Sequence, residues 1–269
     1  MALPSPCLTA AAAFLLMPAL ASAQTADPAV DTTPVAVSGG EPGLGSADLR
    51  GQAPSVSEVF GSLRHDLGRL ASRDHAWVAV VGASGAYGGH MFDHHIAGTG
   101  WGRGTAREIF GPGAFAGGIV QPSAALGTYA IGRIFNQPRV ARVGGELIRA
   151  QLVAQTVTQT IKLTVQRTRP DGSVLSFPSG HTSATFATAT VLHRAFGWKT
   201  GAPAYALASW VAASRMHAER HYLSDVIMGA TIGILAGRSV PIGTNEMRFA
   251  ISPAAVRGGA GVTVVRIQQ

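Results

Sequence analysis

The segment Phe177–His181, with the sequence FPSGH, combines residue types that could bind an anion at the start of a helix. Its proline favours extended backbone before it, and Ser179 can cap the helix. Gly180 lets a ligand approach the backbone closely, where unpaired N–H groups and the positive end of the helix dipole bind phosphate. His181 would lie in the first turn, beside such an anion. An ordinary capped helix start with an incidental histidine explains these five residues equally well.

A row of polar residues precedes this segment at helical spacing: Gln155, Gln159, Lys162, Gln166 and Arg169. Residues spaced in this way project from one face of a helix, here predicted from Val140 to Arg167. A solvated face commonly explains such a row, but apolar residues cover much of the remaining circumference. We therefore expect an internal polar pocket, in which Lys162 and Arg169 would suit an anion with several oxygens. Pro170 is expected to end the helix, with Arg169 projecting from its last turn.

A third group of residues follows in the sequence SRMHAERHYLSD, from Ser214 to Asp225. His221 and Asp225 are four residues apart at the start of a predicted helix, so their side chains can meet. A carboxylate bonded to one imidazole nitrogen fixes the tautomer and leaves the other nitrogen free as a nucleophile or base. Arg215 adds a third permanent cation. Taken alone, such a pair is more often structural than catalytic.

The three groups form ordered blocks along the chain. They are K-x6-R-P (Lys162, Arg169, Pro170), P-S-G-H (Pro178 to His181) and S-R-x5-H-x3-D (Ser214, Arg215, His221, Asp225). In residue types, order and internal spacing they resemble the signatures of the type 2 phosphatidic acid phosphatase superfamily, which includes bacterial class A acid phosphatases and vanadium haloperoxidases. The resemblance is close from Lys162 to Asp225 and loose in the flanking helices.

The resemblance implies a phosphoric-ester hydrolase that uses no metal or other cofactor. His221 would attack phosphorus, oriented by Asp225, to give a phosphohistidine. His181 would protonate the leaving oxygen and later activate water. The phosphoryl oxygens would be held by Lys162, Arg169, Arg215, the Ser179 hydroxyl and the Gly180 N–H. The substrate would be a phosphate monoester or a lipid phosphate or diphosphate.

Two other functions stay open for the same residues. One is a vanadate-dependent haloperoxidase, although those chains resemble this one only over the motifs. The other is a non-catalytic anion-binding module that keeps the geometry of the site. The formal net charge of +7 favours anionic partners. Nucleic acid is not expected among them, because the basic residues are scattered and only 7% of residues are aromatic.

The elements around the motifs are predicted to be helices, which makes the fold class all-α. After a first helical run from Val59 to Leu70, the predicted segments are Trp77–Phe92, Pro112–Phe135, Val140–Arg167, Thr182–Phe196, Pro203–Met216 and His221–Gly237. After residue 54, only Gly111–Gly132 is free of charge over the roughly 20 residues of a membrane span, and we favour a buried helix in a soluble bundle. Alternating residues in Met247–Ser252 and Val262–Ile267 predict a short C-terminal β-hairpin.

The residue pattern at the N-terminus and the cysteine content predict an exported protein. Residues 1–23 are typical of a signal peptide, with an apolar stretch and small residues at Ala21 and Ala23. Because no Lys or Arg precedes the apolar stretch, an uncleaved anchor is the alternative. Residues 24–54 are interpreted as a flexible linker, 55–240 as the helical domain and 241–269 as a tail. Since Cys7 is the only cysteine, we expect a bacterial periplasmic or secreted protein without disulfides, and association with the inner-membrane surface stays open.

Two further sets of histidines and carboxylates have side chains that could bind a metal or touch substrate. His90, Asp93, His94 and His95 have the composition of a metal site. Adjacent histidines diverge on a helix and no second ligand cluster is evident, so no metal is expected there. His217 lies four residues before His221 and could touch substrate, although a plain loop position is favoured.

Overall fold

The computed structural model describes residues 53–98, 105–242, 248–256 and 259–267. Its helices are α1 (Val56–Gly61), α2 (Leu63–Arg69), α3 (Arg73–His90), α4 (Asp93–Gly98), α5 (Thr105–Phe110), α6 (Gly113–Gly117), α7 (Val120–Ile134), α8 (Pro138–Val165), α9 (Gly180–Phe196), α10 (Trp198–His217) and α11 (Leu223–Ser239). The all-α prediction is confirmed for this bundle. The predicted signal peptide, and the predicted linker up to residue 52, lie outside the described residues.

The centre of the bundle is α9, which packs against α8, α10 and α11. Its contacts with α8 and α11 are made largely by small apolar residues, such as Ala154, Ala187, Val191 and Ala236. A second cluster around Phe186 joins α9 to α10 and α11. Because α9 begins with the FPSGH segment, packing on several sides fixes the position of that segment.

Glycines on α11 allow its close approach to α9. A Cβ atom at Gly229 would lie only 2.6 Å from the carbonyl oxygen of Ser179, and one at Gly233 would collide with the carbonyl oxygen of Ser183. Glycine recurs one turn later at Gly237. These positions fall on one face of α11, since residues four apart are neighbours on a helix. The backbones therefore meet closely where the Asp225 end of α11 lies beside the start of α9.

The end of α8 differs from the prediction. The helix stops at Val165 because Gln166 adopts a left-handed backbone conformation with φ of 49°, and its N–H bonds to the Lys162 carbonyl. Arg169 therefore lies in the following loop, and the prediction that it projects from the last helical turn is wrong. The polar row is divided as well, since Gln159 and Gln166 are exposed.

Other helix boundaries also differ from the predictions. The first helical run is two helices, α1 and α2, and Ser55 caps α1 in a capping box with Glu58. Helix α10 begins at Trp198 rather than Pro203, and it accommodates that proline in its second turn. The apolar stretch Gly111–Gly132 is divided between α6 and α7. In the described parts of the chain, no helix has both the length and the apolarity needed to cross a bilayer.

The strand segments of the C-terminal region are β1 (Arg248–Val256) and β2 (Gly259–Ile267), in antiparallel register with Arg248 opposite Ile267. Both are longer than the strand segments predicted from the sequence. The predicted C-terminal hairpin remains a proposal.

The contact between α9 and α11 can be tested with Gly229→Ala. The added methyl group would push against the Ser179 backbone, so we expect a loss of about 1–3 kcal/mol in the free energy of unfolding, measured by chemical denaturation. Gly127→Ala in α7 is the matched control, because a Cβ atom there meets nothing within 4 Å. That variant should be unchanged or more stable by up to about 1 kcal/mol. Equal effects of the two changes would contradict the described packing.

Candidate active site

The FPSGH segment forms the start of α9, with Ser179 as its N-cap. The Phe177–Pro178 peptide bond is cis. The Ser179 hydroxyl oxygen accepts hydrogen bonds from the backbone N–H of Thr182 at 3.5 Å and from its hydroxyl at 2.9 Å. The backbone N–H of Ser179 donates to the carbonyl oxygen of Asp225 at 3.0 Å. The start of α9 is therefore attached directly to the start of α11.

The second residue of α9, His181, packs against the glycines of α6. A Cβ atom at Gly117 would lie 3.0 Å from the His181 Cβ, and one at Gly118 would lie 3.1 Å from its Nε2. The backbone of Ala114 lies beside the imidazole, where it acts to raise the pKa of His181. Burial, followed by the charge of Arg215, lowers the pKa of His181 to about 4. The ring is thus neutral at pH 7 unless a nearby anion raises its pKa.

His221 lies two residues before α11 and faces Asp225 in the first turn of that helix, so the prediction that the helix begins at His221 is wrong. Nδ1 of the buried His221 lies 3.6 Å from Oδ2 of Asp225, which is a close electrostatic contact but longer than a hydrogen bond. That nitrogen has no hydrogen-bond partner within the described ranges. Burial lowers the pKa of His221 and outweighs the opposing effect of Asp225. The imidazole is therefore available in its neutral, nucleophilic form at pH 7.

The Asp225 carboxylate is fully buried and surrounded by donors. Its Oδ2 accepts hydrogen bonds from the Ser176 hydroxyl and from the Tyr222 N–H at 2.8 Å, and its Oδ1 accepts from Arg167 Nη1 at 2.8 Å. Burial alone would raise the pKa of Asp225. The neighbouring His221, Ser176 and Tyr222 groups and the charge of Arg167 together lower it below the usual value. The carboxylate is therefore ionised and held in one orientation.

Lys162, from the last turn of α8, lies beneath the loop that leads to FPSGH. Its Nζ donates to the carbonyl oxygen of Leu175 at 2.5 Å and to that of Ser176 at 3.3 Å. The Lys162 side chain is buried, and burial, followed by the charge of Arg169, lowers its pKa to about 8. A lysine with this pKa is destabilised in its charged form and would be stabilised by an anion.

Arg169 and Arg215 bring guanidinium nitrogens into the site that nothing in the described chain engages. Nε of Arg169, and both Nε and Nη1 of Arg215, are buried without a hydrogen-bond partner among the described residues. Buried polar groups are nearly always paired in folded proteins, and an unpaired charged group is especially costly. These nitrogens therefore form a ready binding site for a ligand with several acceptor oxygens.

The predicted site residues act on one another electrostatically, although they come from α8, the loop after it, α9, α10 and α11. Arg215, His221 and Lys162 each lower the pKa of His181. Lys162 and Arg169 likewise lower the pKa of His221. The structure therefore brings these residues together, with the Ser179–Gly180 backbone at the adjoining end of α9. Gln155 adds support, since its Nε2 donates to the Gly180 carbonyl at 2.9 Å.

Several contributors to the site were not predicted from the sequence. Ser176 and Arg167 both bond to Asp225. Ser176 lies just before the FPSGH segment, and Arg167 occupies an unspecified position of K-x6-R-P. Asp93, weighed before as a metal ligand, is fully buried and accepts hydrogen bonds from Arg167 and Ser224. Over the described residues, no group of three or more His, Cys, Asp or Glu side chains could hold a metal ion. The available signal was a polar residue at an unspecified motif position for Arg167, and one directly before a motif for Ser176.

His217 lies at the end of α10, where its ring contacts Phe110 with centroids 5.4 Å apart. A role for His217 in substrate contact stays a prediction.

The fold and the site together define a class of protein, a helical bundle with a buried cationic site at the start of one helix. Comparison with known proteins gives its family. The family model described as the PAP2 superfamily matches residues 145–246. The chain is 42% identical over 80 residues to a lipid A 1-phosphatase of Porphyromonas gingivalis, covering 28% of this chain and 18% of that protein. It is 35% identical over 128 residues to a decaprenylphosphoryl-5-phosphoribose phosphatase of Mycobacterium tuberculosis, covering 44% of this chain and 67% of that protein.

Among solved structures, the LpxE protein of Aquifex aeolicus matches with a TM-score of 0.43 and 26% identity, over 51% of this chain and 86% of that chain. The chain belongs to the PAP2 superfamily, and the resemblance seen in the motifs is confirmed. The match spans less than a fifth of the length of the Porphyromonas relative.

The lowered pKa of Lys162 predicts how anion binding depends on pH. Lys162 loses its charge above a pH of about 8, so the affinity for sulfate should fall with rising pH through that region. The binding of sulfate, whose own charge is constant there, can be followed by calorimetry. Lys162→Arg is the matched control, because a guanidinium stays protonated and should remove this decrease. The assignment of Lys162 to the anion site is wrong if both proteins lose affinity in parallel.

Proposed function

We propose that this protein is a phosphatase that hydrolyses a lipid phosphate ester or diphosphate through His221. The observation that carries the proposal is the set of buried, unpaired guanidinium nitrogens of Arg169 and Arg215 in the same site as the His221–Asp225 pair. Charge of this kind stabilises a transferring phosphoryl group. The printed names of the relatives support the same class, since both act on phosphorylated lipids.

In the first step, Nε2 of His221 attacks phosphorus, and the bond from phosphorus to the leaving oxygen breaks. Asp225 faces Nδ1, which favours the tautomer that leaves Nε2 unprotonated and stabilises the positive charge that the ring acquires. His181 donates its proton to the leaving oxygen. The products of this step are a phosphohistidine and the dephosphorylated alcohol, or a phosphate monoester where the substrate is a diphosphate.

In the second step, His181, now neutral, takes a proton from water while the water oxygen attacks phosphorus. The bond from phosphorus to nitrogen breaks, and neutral His221 and inorganic phosphate are regenerated. In both steps the phosphoryl oxygens are held by Lys162, Arg169, Arg215, the Ser179 hydroxyl and the Gly180 N–H. The position of the last two at the start of α9 supports this role, because helix N-termini bind phosphate.

The acid role of His181 predicts a dependence on the leaving group. In His181→Asn, kcat/KM for an alkyl or lipid phosphate should fall by about 10²–10⁴-fold, the usual contribution of a general acid. The loss should be smaller for p-nitrophenyl phosphate, because p-nitrophenolate leaves without a proton. The comparison requires steady-state rates of both variant and unmodified protein on both substrates.

His221→Ala is the control for that experiment, and it should abolish turnover of both substrates while circular dichroism shows an intact fold. A label trapped from substrate should be found on His221 of the unmodified protein. Equal losses for both leaving groups in His181→Asn would remove His181 from the acid role, and label on another residue would remove His221 from the nucleophile role.

The lipid substrate class predicts that a detergent-dispersed lipid phosphate is hydrolysed with a higher kcat/KM than a soluble phosphomonoester. Contacts with parts of a substrate far from phosphorus are expressed in kcat/KM. Lipid A, a prenyl phosphate sugar and p-nitrophenyl phosphate, each measured with and without detergent, provide the comparison. A higher value for the soluble ester would retain the phosphatase and exclude the lipid preference.

We also propose a layout for the whole chain, with a signal peptide (1–23), a linker (24–54), the phosphatase domain (55–240) and a tail (241–269) that forms a β-hairpin. The first and last helices support the domain bounds, because α1 is capped by Ser55 and α11 ends at Ser239. The location would be the bacterial periplasm or the cell exterior, with the domain associated with the inner-membrane surface.

A further inference from the structure

Two buried carboxylates are bridged by the guanidinium group of Arg167. Its Nη1 lies 2.8 Å from Oδ1 of Asp225, and its Nη2 lies 2.8 Å from Oδ2 of Asp93. Both carboxylates are fully buried, whereas the Arg167 side chain is 19% exposed. Buried carboxylates require a partner in well-defined geometry, and a planar guanidinium can serve two at once.

Ser224 closes a second connection between the same groups. Its hydroxyl accepts a hydrogen bond from Arg167 Nη1 at 2.7 Å and donates one to Asp93 Oδ2 at 2.6 Å. The Ser224 N–H also donates to Asp93 Oδ1 at 2.9 Å. On the other side, the guanidinium carbon of Arg167 lies 4.2 Å from the ring centroid of Tyr222. Arg167 is therefore held in place by Asp93, Ser224 and Tyr222, in addition to its contact with Asp225.

This arrangement determines where the Asp225 carboxylate points. Its Oδ1 is directed to Arg167, and this leaves Oδ2 on the side of His221, where Ser176 and the Tyr222 N–H also bond to it. Without Arg167, the carboxylate would keep donors at one oxygen only and could rotate away from the imidazole.

We propose that Arg167 and Asp93 are positioning residues for the His221–Asp225 pair, a role that rests on the function proposed above for that pair. Arg167 orients Asp225, and Asp93 in turn holds Arg167 and the start of α11 through Ser224. Neither residue is a specified position of the sequence blocks that identify the family, since Arg167 occupies one of the unspecified positions of K-x6-R-P. Asp93 comes from the beginning of α4, more than 100 residues earlier in the chain than its partner Ser224.

The test is Arg167→Lys, which keeps the positive charge but replaces the planar fork that bridges the two carboxylates with a single ammonium group. We expect kcat to fall by about 10- to 100-fold, as is usual when a group that orients a reactive ligand is changed. The affinity for sulfate should change little, because Arg167 bonds to Asp225 and not to the anion site. The ¹⁵N resonances of His221, assigned by their loss in His221→Gln, should show a single Nδ1–H tautomer in the unmodified protein and a mixture of tautomers in Arg167→Lys.

Arg149→Lys is the matched control, since Arg149 also forms a buried pair with an aspartate, Asp66, at 2.7 Å but away from the site. It should lower the unfolding temperature and leave kcat and the His221 tautomer unchanged. Should Arg167→Lys fail to fold, Asp93→Asn takes its place, because the asparagine oxygen can still accept from Arg167 without the charge. A smaller decrease in kcat and a partial tautomer shift are then expected.

The proposal is overturned if the variants at Arg167 and Asp93 behave like Arg149→Lys, with reduced stability but unchanged kcat and tautomer. The His221 resonances separate this failure from that of the proposed function. If the unmodified protein hydrolyses no phosphate ester, the phosphatase function fails, whereas a tautomer shift in Arg167→Lys would still show that Arg167 orients the pair.

Discussion

The buried Asp225 is the group on which the rest of the site depends, because its side chain and backbone join segments that are distant in the sequence. Its carboxylate bonds to Ser176 in the loop before α9, to the Tyr222 N–H and to Arg167 after α8. Its carbonyl oxygen accepts from Ser179 at the start of α9. A buried carboxylate must keep such donors to remain ionised. The same requirement that keeps Asp225 charged therefore fixes the start of α9 relative to His221.

Positive charge around this carboxylate is left partly uncompensated. Asp225 is already engaged by Arg167, and the buried nitrogens of Arg169 and Arg215 have no acceptor in the described chain. The burial of Lys162, followed by repulsion from the charge of Arg169, lowers the pKa of Lys162. An arrangement of this kind reduces the stability of the folded protein, and an anion that binds only the folded form would restore it. The fold thus carries a destabilising cluster of cations that a bound anion with several oxygens would compensate.

The sequence was sufficient to predict an all-α fold, the start of α9 and the residues that meet around His221, because helical spacing and short motifs are local. It was insufficient for Arg169, since the left-handed turn at Gln166 that moves it off the helix has no strong signal in a non-glycine residue. It also missed the pairing of Arg167 with Asp93 and Asp225. Such long-range contacts depend on how α4, α8 and α11 pack, and the local spacing of residues in the sequence does not reveal that packing.

The electrostatics of His181 suggest how binding and chemistry are linked. Burial, followed by the charge of Arg215, holds the pKa of His181 at about 4, so the imidazole is neutral at pH 7. A phosphoryl dianion among the same cations would offset their charge and raise the pKa of His181 toward that of an effective acid. His221 differs because Asp225 already opposes the cations, and its burial keeps the ring neutral and nucleophilic. Under the proposed mechanism, substrate binding would therefore complete the acid, His181, while the protein alone would prepare the nucleophile, His221.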